Sequence, residues 1–547
     1  MRFVAFFLLV LSLSKNCFSQ THTYTHADSI RGSITKERAW WNVLHYDLHV
    51  SFNYADSSIK GFNKITYQVL ELNSVLQVDL MSPMIIDSII YESQKCSWRK
   101  DGNAYFVNLP GAQSMYAHKN IIAYFHGKPI AAKNPPWDGG LIWKKDKKGN
   151  PWISVACQGM AASVWFPCKD HQYDEVDSVS AYYTASSDLV VVAGGKLRSQ
   201  KDNGDGTTTY NWAVVNPINN YSIVPYIGKY VELTDTFHGY GGVLLLNYWV
   251  LQDNLEKAKK QFGKEVKPML RCFESWFGRY PFYEDDYKLV EAPHLGMEHQ
   301  SAVAYGNDFQ NGYKGTDLSK SGWGMKWDFI IVHESGHEWF GNNITTKDVA
   351  DMWVHEGFTA YSENLYVECL FGKKAGSEYV IGTRANIGNK SPIIGDYGVN
   401  NDGYAGTDMY YKGANMIHMI RQINNNDARW REMLMKMNFT FWHSTVTTNQ
   451  IEDFMIKFLN LDLQKVFDQY LRTTQIPTLE YYMGKNTCSF RWANCVSGFN
   501  MPVKVKCGKN EVVLKPTEQW QTVTTPIFSQ PEIVVDANYY VNSQKTK

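Results

Sequence analysis

The sequence predicts an α+β multidomain protein: an all-β N-terminal domain, an α+β central domain and a small C-terminal β-domain. Three observations carry that prediction. At 547 residues the chain is too long for one core. Apolar residues alternate with period two from about Tyr46 to Tyr230 and again after Pro477. Between those stretches strand patterns give way to helical spacing, the strand-then-helices order of an α+β domain. We place the domains at 20–236, 237–475 and 476–547, after a targeting segment at 1–19. Hydrophobic residues make up 44% and charged residues 20%, a globular balance. Lys+Arg and Asp+Glu number 54 each, so no electrostatic case for nucleic acid exists.

The chain opens on a signal-like stretch. Arg2 is followed by an apolar run, Phe3 to Leu13, too short to span a bilayer as a helix. Cys17 and Ser19 sit at the −3 and −1 positions of a cleavage site before Gln20. The expectation is an exported protein, periplasmic or extracellular, with no membrane span. Export permits disulfides. Eight cysteines follow Cys17; Cys488–Cys495 and Cys157–Cys168 are conceivable pairs, and the spacing decides neither.

In the N-terminal domain, Tyr46–Phe52, Ile65–Val69 and Val75–Leu80 alternate as strands. Asp202-Asn203-Gly204-Asp205-Gly206 resembles a calcium loop but lacks the Glu at its twelfth position, so a hairpin turn is expected. Pro135–Gly140 reads as a loop. Small and polar residues from Gln158 to Ser163 break the alternation, as a polar pocket wall would. In the central domain, Leu255–Phe277 has helical spacing with Lys257, Lys259 and Lys260 on its solvated face, and Tyr287–Glu291 returns to strand. Helices are expected over 356–369, 410–423 and 449–459. Strands are expected at 503–507, 511–514 and 532–536 in the last domain.

The chemistry gathers between His333 and Glu356. His333-Glu334-Ser335-Gly336-His337 follows the apolar Phe329–Val332. Residues four apart share a helix face, so His333 and His337 aim two imidazoles at one point. Glu334 lies about 100° further round, placed to hold a water on a metal without ligating it. Catalytic zinc takes three protein ligands and keeps a fourth position open. Glu356, nineteen residues after His337, is the candidate third ligand.

Further residues complete a pattern: Gly296-Met297-Glu298-His299-Gln300 upstream, Trp339-Phe340-Gly341-Asn342 and Glu356-Gly357-Phe358-Thr359-Ala360-Tyr361 beside the motif, and Tyr410-Tyr411-Lys412-Gly413 downstream. In this order they resemble the aminopeptidase N / leukotriene hydrolase family of zinc aminopeptidases, which are gluzincins. The segment from Gln158 to Asp170 is similar to that family's glutamine loop. The resemblance runs from about His45 to Asp536. It implies a thermolysin-like catalytic domain and one zinc ion per chain, held by His333, His337 and Glu356. It implies Glu334 as general base and then acid for a zinc-bound water. Glu298, helped by Gln158 and flanked by Gly296 and Met297, would bind the α-amine of peptides with a free N-terminus, and Tyr410 would steady the oxyanion. The Y-x-K-G register selects Tyr410 over Tyr411. Two departures stand out. His299 replaces the usual Asn, and larger relatives continue into a helical cap for which this sequence has no room. A more open cleft, admitting longer peptides, is the expectation.

Asp351 is a candidate to orient a zinc histidine, with a solvent-facing Asp the alternative; His355, His294 and His443 read as structural. Two other functions compete: a zinc endopeptidase that shares only the metal helix, and a non-catalytic peptide-binding protein on the same fold. Glu298 separates the first from an aminopeptidase, because internal cleavage needs no amine anchor. The intact base and tyrosine speak against the second.

Overall fold

The computed structural model describes residues 23–158, 161–399, 406–528 and 532–546. The expected targeting segment and cleavage site lie outside them. The alternating N-terminal sequence forms a mixed eight-stranded sheet around Trp41–Asn53, which pairs antiparallel with Ser58–Val69 and parallel with Ser178–Ser186. Three- and four-stranded sheets complete the domain. The 202–206 stretch is the expected hairpin turn between Lys196–Asp202 and Thr207–Val214; Asp202 and Asp205 accept the N–H groups of Gly204 and Thr207.

A five-stranded sheet runs in the order Tyr230–Gly239, Gly242–Leu251, Tyr287–Glu291, Val303–Tyr305, Gly296–Met297. Its first strand begins before residue 237, so this sheet straddles the boundary placed from sequence. Its first two strands keep one face exposed, whereas Tyr287–Glu291, Val303–Tyr305 and Gly296–Met297 are buried on both faces, to which their side chains alternate. Leu289, Val303 and Tyr305 face the helices, while Val290, Ala304 and Met297 join the core of the N-terminal domain. Gly296–Met297 is the edge strand and therefore borders a cleft between the two cores.

The helix Leu255–Phe277 has the expected bounds, with Lys257, Lys259 and Lys260 exposed. The helices expected at 356–369, 410–423 and 449–459 run Trp353–Phe371, Asp408–Asn424 and Thr448–Leu459. Helices Lys373–Gly382, Asp427–Thr440 and Gln464–Arg472 were not anticipated. The C-terminal strands form four- and three-stranded sheets whose Leu479, Trp492 and Val503 enter the same core as the central helices. No helix among the described residues is long and apolar enough to cross a membrane.

The cysteines pair differently from either sequence candidate. Cys272 on Leu255–Phe277 is bonded to Cys369 on Trp353–Phe371. Cys157, Cys168, Cys488 and Cys495 are free. The bond crosses two packed helices 97 residues apart, a proximity only the tertiary fold creates.

Candidate metal centre and amine cradle

The helix Phe329–Gly336 begins where the Asp328 carboxylate accepts the Ile331 N–H, a normal N-cap. Asp328 is buried and held by Tyr305 (2.7 Å), Gln261 (2.9 Å) and Asn307 (2.9 Å). The helix is buried throughout, so its polar motif is desolvated wherever it does not face the cleft. It crosses Trp353–Phe371 closely: a Cβ on Gly336 would lie 2.6 Å from the Ser362 hydroxyl. That closeness brings Glu356 up to the two histidines.

The three Nε2 and Oε2 atoms form a triangle. His333 Nε2 and His337 Nε2 are 3.3 Å apart, and Glu356 Oε2 lies 3.6 Å and 3.4 Å from them. Zinc with N and O ligands at about 2.0–2.1 Å needs tetrahedral edges of roughly 3.3 Å, so the triangle fits the ion. Glu356 Oε2 is buried with no hydrogen-bond partner, which suits a metal ligand and is costly for anything else. The outer nitrogens are fixed. His333 Nδ1 is 2.7 Å from Glu363 Oε1, whose other oxygen accepts from the Tyr379 hydroxyl (2.6 Å). His337 Nδ1 is 3.0 Å from the Phe340 carbonyl. With Nδ1–H donating outward, each Nε2 keeps its lone pair toward the centre.

Asp351 does not orient a zinc histidine, and it is not solvent-facing. It is buried and accepts from Tyr397 (2.7 Å) and Thr448 (2.5 Å), tying a loop and a helix start to the turn before Trp353. Glu363 takes the orienting place. It lies seven residues after Glu356 on one helix, hence on the same face. His355 is structural, as expected: its Nε2 accepts the Thr346 N–H at 2.8 Å. His443 stacks on Phe282 and His294 is buried.

Glu334 makes no hydrogen bond to a described residue. It lies under Gly296, where a Cβ would come within 2.7 Å of Oε1, so only glycine leaves room for it. Burial, with the Glu298 charge adding and His333 opposing, pushes its carboxyl up to about 7. Glu298, His337 and Glu334 offer ligand atoms within 4.8 Å of one another. Burial also raises the Glu298 carboxyl.

Glu298 is held from two domains. Gln158 Nε2 and the Tyr221 hydroxyl (3.2 Å) both donate to Oε1, and Asn342 Nδ2 fixes its backbone carbonyl at 2.9 Å. Tyr221 was not anticipated; it sits in a short turn, Asn220–Ser222, 77 residues from Glu298. His299, the departure from the family pattern, turns away: its Nδ1 pairs with the Tyr226 hydroxyl at 2.6 Å, leaving Glu298 undisturbed. The Tyr410 ring lies 5.9 Å from His333 and its hydroxyl beside the Glu356 carboxylate. Its helix is set by two facing glycines: a Cβ on Gly413 would lie 3.1 Å from the Gly357 Cα. Tyr411 stands one ring away, 6.2 Å from Tyr410. Eight of the nine candidate residues, Gln158, Gly296, Glu298, His333, Glu334, His337, Glu356 and Tyr410, are thus gathered together, while the Met297 side chain packs into the core of the N-terminal domain.

Residues 264–470 match the family model described as the peptidase family M1 domain. Leucine aminopeptidase 2 of Vanderwaltozyma polyspora is 24% identical over 347 residues, 61% of this chain and 48% of that protein. Aminopeptidase B of Mus musculus is 23% identical over 239 residues, 43% of this chain and 33% of that protein. The matches thus span about half of the first relative's length and a third of the second's. Among solved structures, an M1 zinc metallopeptidase from Deinococcus radiodurans superposes with a TM-score of 0.67 at 19% identity, covering 81% of this chain and 95% of that one. That likeness establishes the architecture: an N-terminal β-rich domain followed by an α+β catalytic domain.

Proposed function

From the peptidase family M1 domain that this chain carries at residues 264–470, we propose that it is a zinc aminopeptidase removing the first residue from peptides. The observation that carries the reading is Glu298: a buried carboxylate, fixed by Gln158 and Tyr221, beside the His333–His337–Glu356 triangle. Zinc held by those three residues would act as a Lewis acid and lower the pKa of water in its open position towards about 7.

The chain's own residues do the rest. The Glu298 carboxylate pairs with the substrate's α-ammonium and fixes the reacting carbonyl one residue further along. The edge strand Gly296–Met297 offers its backbone to the extended peptide. Glu334 takes a proton from the attacking water and later delivers it to the leaving nitrogen. The Tyr410 hydroxyl donates to the carbonyl oxygen as it gains charge, a contribution commonly worth about 10²–10³ in rate. An endopeptidase would have no use for Glu298, whose burial needs a cationic partner to be worthwhile. Acetylating the N-terminus of a cleaved peptide is therefore expected to abolish hydrolysis, read by the appearance of the released residue. Equal cleavage of the blocked peptide would select the endopeptidase reading.

Export is part of the same proposal. The apolar run after Arg2 and the Cys272–Cys369 bond support it, since disulfides persist in oxidising compartments. Sequencing the N-terminus of the protein secreted by its native host is expected to begin at Gln20; a retained Met1 would refute cleavage.

A further inference from the structure

A turn outside the metal centre carries a lysine, Lys314, that forms no ion pair with a described residue. Tyr313 and Thr316 exchange both backbone hydrogen bonds (2.9 and 3.0 Å), closing a turn with Lys314 and Gly315 at positive φ. The turn is keyed to the metal helix. Asn307 accepts the Lys314 N–H at 2.9 Å and donates to the Asp328 N-cap at 2.9 Å and to the Gly312 carbonyl at 2.8 Å. The Tyr313 ring packs edge-on against Phe329 (5.4 Å), which stacks on His333 (5.1 Å). Lys314 is exposed and forms no ion pair with a described residue; its ammonium lies 5.2 Å from the Trp137 ring centre. Trp137 is 60% exposed and belongs to the loop before Gly140. Gly140 pairs with Ala156, so that loop leaves its sheet where the chain runs into Gln158. Trp137 and Lys314 thus meet across the two domains at the cleft.

The direction of the substrate follows from the metal helix. Glu298 lies by both His337 and Glu334, whereas the Cβ direction of Gly296 meets Glu334 and, one turn earlier on the helix, Ile330. A peptide with its ammonium on Glu298 and its backbone along Met297 and Gly296 therefore leaves toward the start of the helix. Phe329, Tyr313 and Lys314 stand there. The Tyr313 hydroxyl is near enough for the Glu334 charge to raise its pKa, after burial.

We propose that Lys314, roofed by Trp137 and walled by Tyr313, anchors a carboxylate on the leaving-group side of the substrate, namely the C-terminal carboxylate of a short peptide. The anchor rests on the aminopeptidase reading. It selects di- and tripeptides by charge at the far end, as Glu298 selects the near end, and so runs against the sequence-based expectation of a cleft that admits longer peptides.

The test compares kcat/KM for trialanine and trialanine amide. The wild-type protein is expected to favour the free acid by about fivefold, the size of a partly exposed ion pair. Lys314→Met is expected to bring the ratio close to one, and Lys314→Arg to keep it. A wild-type ratio near one, or a ratio that survives Lys314→Met, overturns the anchor. An aspartate side chain is the other source of a carboxylate. Faster cleavage of alanyl-alanyl-aspartate amide than of trialanine would overturn the assignment to the C-terminus. Alanine p-nitroanilide, which has no carboxylate, reports on the underlying reading separately: its turnover is required for aminopeptidase activity and is indifferent to the anchor.

Discussion

Glu334→Gln is expected to lower kcat by about 10²–10⁴ while the protein still binds one zinc ion per chain. The amide keeps the shape that Gly296 makes room for but cannot accept the proton of the attacking water. The ligand triangle does not include it, since His333, His337 and Glu356 supply its three corners. Steady-state rates on an aminoacyl nitroanilide, with metal content by atomic absorption on the same sample, decide the matter. Unchanged turnover would sink the general-base assignment. Loss of zinc in step with activity would show that Glu334 acts instead as a ligand.

The second large effect concerns stability. The Cys272–Cys369 bond closes a loop of 97 residues. Chain-entropy reasoning gives such a loop about 4–5 kcal/mol of stabilisation, most of it through the unfolded chain. The double variant Cys272→Ser, Cys369→Ser is expected to unfold at markedly lower urea, with its activity in buffer retained because neither residue supplies a group to the metal triangle or to Glu298. Both thiols sit on helices that frame the metal ligands, so the loss falls on the central domain. An unchanged urea midpoint by tryptophan fluorescence would mean that packing alone holds those helices together.

What the sequence made legible was local. The histidine spacing rests on helical periodicity, and the helix Leu255–Phe277 on its lysine-bearing solvated face. The turn at 202–206 was legible because Asp and Gly specify it chemically. The residues that escaped are joined to the site over long separations. Tyr221 reaches Glu298 across 77 residues and Cys272 reaches Cys369 across 97, and nothing in either neighbourhood announces a partner. Glu363 is a different kind of miss. It stands two helical turns after Glu356, and that spacing alone marks it as facing the same way. Asp351 was considered in its place on chain proximity, yet it lies before the helix and is consumed by Tyr397 and Thr448. The helix Gln464–Arg472 is another miss of this kind, since Val466, Phe467, Tyr470 and Leu471 recur at the spacing of one buried face.

Glu298 takes one donor from Gln158 and another from Tyr221, both on the N-terminal side of the cleft, while the metal triangle is built wholly from the central helices. The two halves of the site therefore have different mechanical footings. A rocking of one core against the other by about an ångström is enough to break hydrogen bonds of normal length, yet would leave the triangle intact. Such a displacement would release the gauge that measures one residue from the chain end and keep the cutting edge whole. On the proposed aminopeptidase reading, fidelity in where the bond is cut would rest on the seam between the domains, and a substitution there, far from any metal ligand, would blur it while leaving the metal triangle whole.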